Sequence, residues 1–207
     1  MRLLLLIGFL MPLSLNAQHL RAGLMYTDIY NAHFVENHTP KWHYSLGFSI
    51  SIDPPDWSPF LLQYEIRYAE KGYQTQISDG GATYNFQLDF HYLYHTLLAA
   101  YELTPELAPY AGLEVGALMR TNLVTATEKI HLKDTYREGD LGWVAGIQFF
   151  RKSKFSADLR IASSIFPQLR YESFDNFGNP TGKVKGLNHL TVEAAAMFRL
   201  FKFSYQK

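Results

Sequence analysis

The chain has 207 residues, with 19 Lys and Arg balanced by 19 Asp and Glu, and no cysteine. Balanced charge provides no basic surface for nucleic acid, so no nucleic-acid partner is expected. The lack of cysteine excludes disulfide bonds, a thiol nucleophile and a lipid-modified N-terminal cysteine. A chain of this length with short, regularly spaced strands predicts one domain.

Residues 1–17 have the pattern of a cleavable secretory signal peptide. Arg2 precedes a short apolar run over residues 3–13, and the small residue Ala17 marks the expected cleavage site. This run is too short to span a bilayer stably. We therefore expect export, with residues 18–207 forming the mature domain.

Apolar and polar side chains alternate with a period of two along most of the mature chain, which is typical of β-strands. The clearest stretch is 62–73, where Leu62 and Tyr64 share one face and Glu65 and Arg67 share the other. The pattern predicts about eight strands, within residues 20–27, 42–52, 62–77, 86–103, 110–120, 140–149, 155–165 and 190–200. The fourth segment loses its alternation after His95, which predicts a bulge or register change there and leaves its facing open.

No segment after residue 17 contains the roughly 20 apolar residues that a spanning helix needs, so a membrane-embedded chain would have to be a closed barrel. The predicted fold is an all-β, antiparallel up-and-down transmembrane β-barrel in the outer membrane. With the N-terminus in the periplasm, the long connections at 31–41, 122–138 and 168–186 lie outside the cell, as membrane barrels arrange them.

Alternation alone is equally compatible with a soluble, lipocalin-like periplasmic binding barrel. The glycines favour the membrane barrel, because they fall on the polar face, and a strand glycine suits a crowded barrel interior better than a water-exposed surface. These glycines are Gly23, Gly47, Gly112, Gly116, Gly142 and Gly146. The apolar face carries candidates for interfacial aromatic girdles: Tyr26, Trp42, Tyr64, Tyr68, Trp143 and Phe198.

Charged residues of both signs fall on the polar faces of the predicted strands. They are Arg21, Glu65, Arg67, Lys71, Glu114, Arg120, Asp140, Asp158, Arg160, Glu193 and Arg199. Buried charges must be paired, and eight strands enclose an interior that side chains can fill. We therefore predict a lumen plugged by a charge network instead of an open transport channel.

Four segments, taken in order, resemble the PorT-like outer-membrane β-barrel family: residues 64–72 (YEIRYAEKG), 92–101 (YLYHTLLAAY), 109–116 (PYAGLEVG) and 140–146 (DLGWVAG). The resemblance implies an eight-stranded outer-membrane barrel. It implies little about activity, since PorT is associated with protein secretion and most members have no assigned role. Family members usually carry Glu and Pro where Tyr94 and Thr96 stand, so this chain lacks the usual inward carboxylate at that point.

Two patterns have residue types found in reactive sites. His43 and Ser45 form the His-x-Ser pattern of outer-membrane lipid A deacylases, but alternation turns both side chains into the lumen, away from lipid. His91 and His95 share a strand face about 13 Å apart, too far for one metal ion. No catalytic residue, cofactor or metal site is predicted.

The leading hypothesis is a non-enzymatic barrel that contacts outer-membrane lipid and acts through its long loops or rim. Extracellular ligands, or proteins of envelope assembly or secretion, are the expected partners. The alternatives are a lipid-modifying barrel enzyme and the soluble binding barrel.

Overall fold

A computed structural model describes residues 15–30, 38–52, 59–79, 82–125, 128–131, 138–167, 169–174 and 180–201. These residues form ten strands: β1 (Leu15–Tyr30), β2 (His38–Ile52), β3 (Phe60–Asp79), β4 (Ala82–Tyr101), β5 (Leu107–Val124), β6 (Lys129–His131), β7 (Gly139–Phe149), β8 (Phe155–Ser164), β9 (Leu169–Phe174) and β10 (Pro180–Phe201). The described residues include no helix that is long and apolar enough to cross a membrane. Most of the predicted signal peptide and much of the three long connections lie outside the described residues.

Eight of the strands form a closed antiparallel barrel. The order is β1-β2-β3-β4-β5-β7-β8-β10, and β10 pairs back with β1 along most of its length. The short strands β6 and β9 pair with β5 and β10 and lie outside this ring. The predicted all-β up-and-down architecture is confirmed.

The strand register shows how strongly the barrel is sheared. A line of paired residues leaves β1 at Gln18 and returns to β1 at Asp28, ten residues further along, by way of Ile50, Tyr64, Leu97, Leu113, Trp143, Ser163 and Leu190. For eight strands this shear corresponds to a tilt of roughly 40° and an interior only wide enough for side chains.

Side-chain facing follows the predicted alternation. Large apolar side chains such as Leu24, Leu46 and Leu159 point outward and are about half exposed, whereas the inward positions carry buried Ser, Thr, Gln and charged residues. A soluble binding barrel would have the apolar face inside and the polar face in water. The observed arrangement is instead that of a membrane barrel.

The irregularity predicted after His95 of the fourth strand is not observed there, because residues 92–100 pair regularly with both neighbouring strands. β4 pairs with β3 without interruption, but its pairing with β5 shifts between His91, opposite Arg120, and Tyr92, opposite Leu118. Met119 is therefore an extra residue on β5, and a one-residue insertion reverses which side chains face inward beyond it.

The wall is much taller on one side of the barrel. β7 and β8 have 11 and 10 residues, close to the 9–11 that a transmembrane strand needs. β3 and β4 have 20 residues each, or about 50 Å along the barrel axis at the strand tilt, against an apolar band of about 25 Å. Roughly half of the β3–β4 hairpin therefore projects beyond the membrane, on the side opposite the short turns at 102–106 and 150–154.

Candidate functional site

The inward faces of six strands bring nine charged side chains together in the lumen, each no more than 2% exposed. Four are cations and five are carboxylates: Arg21, Arg67, Lys71 and Arg160, with Glu65, Glu114, Asp140, Asp158 and Glu193. Strand alternation places each of them inward. The shear of the barrel then brings residues that are far apart in sequence to the same depth.

Three arginines and three glutamates form the centre of this cluster. Arg160 donates from both terminal nitrogens to the Glu65 carboxylate, at 2.9 and 3.0 Å. Arg67 donates to Glu193 and to Glu114, each at 2.8 Å. Arg21 lies 3.0 Å from a carboxylate oxygen of Glu193. These contacts link five strands across the lumen.

A second group of contacts extends the network toward the tall side of the barrel. Lys71 lies 3.4 Å from Glu114 and 3.6 Å from Asp140. The Tyr94 hydroxyl donates to Asp140 at 2.6 Å, and the Lys71 ammonium lies 4.4 Å from the centre of the Tyr94 ring. The tyrosine thus partners both an anion and a cation.

Tyr110 likewise contacts both an anion and a cation, nearer the short turns. Its hydroxyl contacts both oxygens of Asp158, at 2.8 and 2.9 Å, and accepts a hydrogen bond from Arg160 at 3.1 Å. Ser45 donates to Glu193. The phenols and this hydroxyl occupy carboxylate lone pairs that the guanidinium groups leave free, as a buried ion network requires.

Apolar layers close the lumen on both sides of the charges. On the tall side, Met25, Phe90 and Tyr92 are buried in one cluster. Toward the short turns, Leu61 and Leu98 belong to a second buried cluster. Sequence reasoning missed both layers, because it left the facing of the fourth strand open; inward Phe90, Tyr92 and Leu98 all belong to that strand.

Two predicted members lie outside the network. Arg120 follows the extra residue of β5, so its side chain turns outward, where it is exposed and donates to Asn122 at 2.8 Å. Arg199 lies at the end of β10 near the short turns, where it donates to the backbone carbonyl of Arg151. The bulge explains why Arg120 is not in the lumen. Arg199 misses the network because it lies nearer the short turns than the central charges do.

The six aromatic girdle candidates all point outward. Tyr26 and Trp42 pack with their ring centres 5.1 Å apart, and Phe198 packs on Phe155 at the same distance. Trp143 is 40% exposed. Tyr64 and Tyr68 are hydrogen bonded to the imidazoles of His95 and His91, each at 2.6 Å. Their contact with the lipid headgroup region stays a prediction.

The residues of the candidate enzyme pattern face away from lipid. His43 and Ser45 are 5% and 1% exposed. Ser45 contacts Glu193 in the lumen, whereas the His43 imidazole lies 3.8 Å from Glu70 of β3. His91 and His95 lie on the outer wall, each paired with its own tyrosine. An enzyme acting on membrane lipid needs its nucleophile and base on the lipid-facing surface, and the His-x-Ser pair does not meet this condition.

No protein-family model matches the sequence, and no curated protein matches it. Solved outer-membrane barrels share the fold. Neisserial surface protein A superposes with a TM-score of 0.54 at 11% identity, covering 88% of this chain and 97% of that protein. Ail, the attachment invasion locus protein of Yersinia pestis, gives 0.52 at 11% identity in its complex with the heparin analogue sucrose octasulfate, covering 89% and 99%. With the apolar outer wall, this fold makes the chain an outer-membrane β-barrel protein.

Proposed function

We propose that this chain is a non-enzymatic, non-conducting barrel of the PorT-like kind, which acts through its extracellular end. The proposal rests on the observation that side chains fill the lumen. Nine charged side chains cross-link opposite walls between two apolar layers, leaving the barrel as a rigid support. Transport would need a water-filled path, and catalysis on lipid would need reactive groups on the outer wall.

The tall part of the wall supports a role outside the membrane. Beyond the membrane the β3–β4 hairpin continues with a polar outer surface, including exposed Gln74, Gln76 and Asn85. Function on a rigid scaffold is usually carried by its projecting loops and edges. The barrel thus anchors a surface for contact with extracellular ligands, or with proteins of envelope assembly or secretion.

The two likenesses support different versions of this role. The ordered PorT-like segments favour secretion or envelope assembly. The structure of Ail in complex with the heparin analogue sucrose octasulfate shows that a barrel of this fold can bind a ligand. In either version of the role, the projecting hairpin is the surface that would contact the partner or ligand.

The purified wild-type protein is expected to give no stable currents in planar lipid bilayers. The network of Arg67, Glu114 and Glu193 spans the lumen with contacts of 2.8 Å, and the proposed plug is expected to block ion flow. An open porin reconstituted under the same conditions is the control. Stable open-channel currents from this protein would refute the plugged lumen and revive a transport role.

Single cysteines are expected to report which end of the barrel faces the outside, since the natural chain has none. Tyr84, near the tip of the tall hairpin, and Leu103, in a short turn, are 53% and 57% exposed. A membrane-impermeant maleimide should label Tyr84→Cys on intact cells and Leu103→Cys only after the outer membrane is opened. The reverse labelling would place the tall wall in the periplasm.

The same two positions test for a surface partner. A photo-crosslinking amino acid at Tyr84 is expected to give a discrete covalent adduct on intact cells, while the same group at Leu103 gives none of that mass. Equal adduct patterns at the two positions, or no adduct at Tyr84, would count against a partner at the projecting end.

A further inference from the structure

The ladder between β2 and β3 is interrupted near the outer end of the membrane-spanning wall. Pro40 pairs with Tyr73 and Ser45 pairs with Ala69, and the register shifts between them. At this interruption, side chains from three consecutive strands meet: His43 of β2, Glu70 of β3 and Asp89 of β4. Each offers a nitrogen or oxygen atom that binds metals.

The three side chains are close enough to share one ion. Their ligand atoms all lie within 4.8 Å of one another, and His43 Nδ1 is 3.8 Å from a Glu70 oxygen. Bonds of about 2.0–2.2 Å to one zinc ion hold ligand atoms about 3–4 Å apart. Small side-chain movements, with no change of the strands, would bring all three atoms to that separation.

The imidazole is buried without full use of its polar atoms. His43 is 5% exposed, and its Nε2 atom has no hydrogen-bond partner among the described residues. Asp89 is 4% exposed. A buried polar atom without a partner costs free energy. A flip of the imidazole ring would turn Nε2 toward the two carboxylates, where a bound cation would satisfy it.

We propose that His43, Glu70 and Asp89 form a binding site for a divalent transition metal ion, with zinc the best match. One imidazole nitrogen and two carboxylate oxygens suit Zn²⁺ in a site that keeps a position open for water. The ion would join β2 to β3 and β4 at the point where the β2–β3 ladder is interrupted. It would thereby stiffen the base of the projecting hairpin. This inference does not depend on the proposed function.

Two neighbours of Asp89 define the site further. The Gln87 amide donates to both carboxylate oxygens of Asp89, at 2.8 and 2.7 Å, which orients that group as outer partners of metal ligands do. The Lys41 ammonium lies 3.4 Å from Asp89 on a side chain that is 29% exposed. Lys41 is thus a competing cation that can move into solvent when a metal ion binds.

The test is zinc titration of the full-length, detergent-solubilised protein, stripped with a chelator and read against a chromophoric zinc indicator. The wild type is expected to bind one equivalent and to unfold at a higher temperature with zinc than without it. Glu70→Gln and Asp89→Asn keep the shape of the side chains, and each should weaken binding at least tenfold and abolish the thermal shift. Lys41→Ala should tighten binding several-fold, because the competing ammonium is removed.

His131→Ala is the matched control, because it removes an exposed imidazole on the outer wall that contacts Asn122; its affinity should equal that of the wild type. The proposal is overturned by a wild type that binds no zinc. It is equally overturned by an affinity that falls in His131→Ala and persists in Glu70→Gln and Asp89→Asn, which would place the ion on the outer histidines.

Discussion

Glu65→Ala is expected to lower the free energy of unfolding by about 3–5 kcal/mol, the usual cost of removing one member of a buried ion pair. Glu65 is fully buried and accepts both terminal nitrogens of Arg160, and it lies 3.2 Å from Arg67 and 3.9 Å from Arg21. Without this carboxylate, three guanidinium groups remain in the lumen with less compensation. The measurement is the temperature at which the folded, heat-modifiable band disappears on a gel.

Glu102→Ala is the matched control for this experiment. Glu102 also pairs with two cations, Arg151 at 3.4 Å and Lys152, but it lies at the rim of the short turns with 23% of its side chain exposed. Exposed pairs contribute about 0–1 kcal/mol. Equal small shifts for the two variants would mean that water solvates the lumen and that the charges do not plug it.

The strand pattern was predictable from sequence because the two faces of this wall meet different solvents. Alternation over residues 62–73 identifies Glu65 and Arg67 as inward and Ile66 as outward, and the structure has them so. Nine of the eleven predicted lumen charges lie in the buried network for the same reason. A one-dimensional period gives the facing of a residue wherever the strand is regular.

The same reasoning fails where a local insertion changes the period or where pairing joins distant segments. The extra residue Met119 turns Arg120 outward, and nothing in the residue types of β5 marks that position. The cluster of His43, Glu70 and Asp89 draws one residue from each of three strands, so its proximity depends on register, which the sequence pattern does not specify. Tyr94 and Tyr110 read as ordinary strand aromatics until their hydroxyl groups are seen to reach Asp140 and Asp158.

A substitution on the outer wall is expected to cause the second large loss of stability. Leu159→Arg is expected to cost about 2–4 kcal/mol of folding free energy in a bilayer, because Leu159 lies on the outer face of β8, 49% exposed in the middle of a strand of membrane-spanning length. An arginine there must be desolvated in lipid or distort the bilayer around it. The measurement is the denaturant midpoint of the protein folded into lipid vesicles, together with the yield of heat-modifiable protein from cells.

Tyr84→Arg is the companion variant that separates lipid exposure from surface exposure in general. Tyr84 is 53% exposed, like Leu159, but it lies near the tip of β4, well beyond the apolar band, where an added arginine meets water and should cost about 0–1 kcal/mol. A soluble barrel would tolerate arginine at both positions, since both side chains would be exposed to water. A strong effect at Leu159 with none at Tyr84 therefore maps the membrane boundary on the wall, whereas equal tolerance would contradict the membrane assignment of β8.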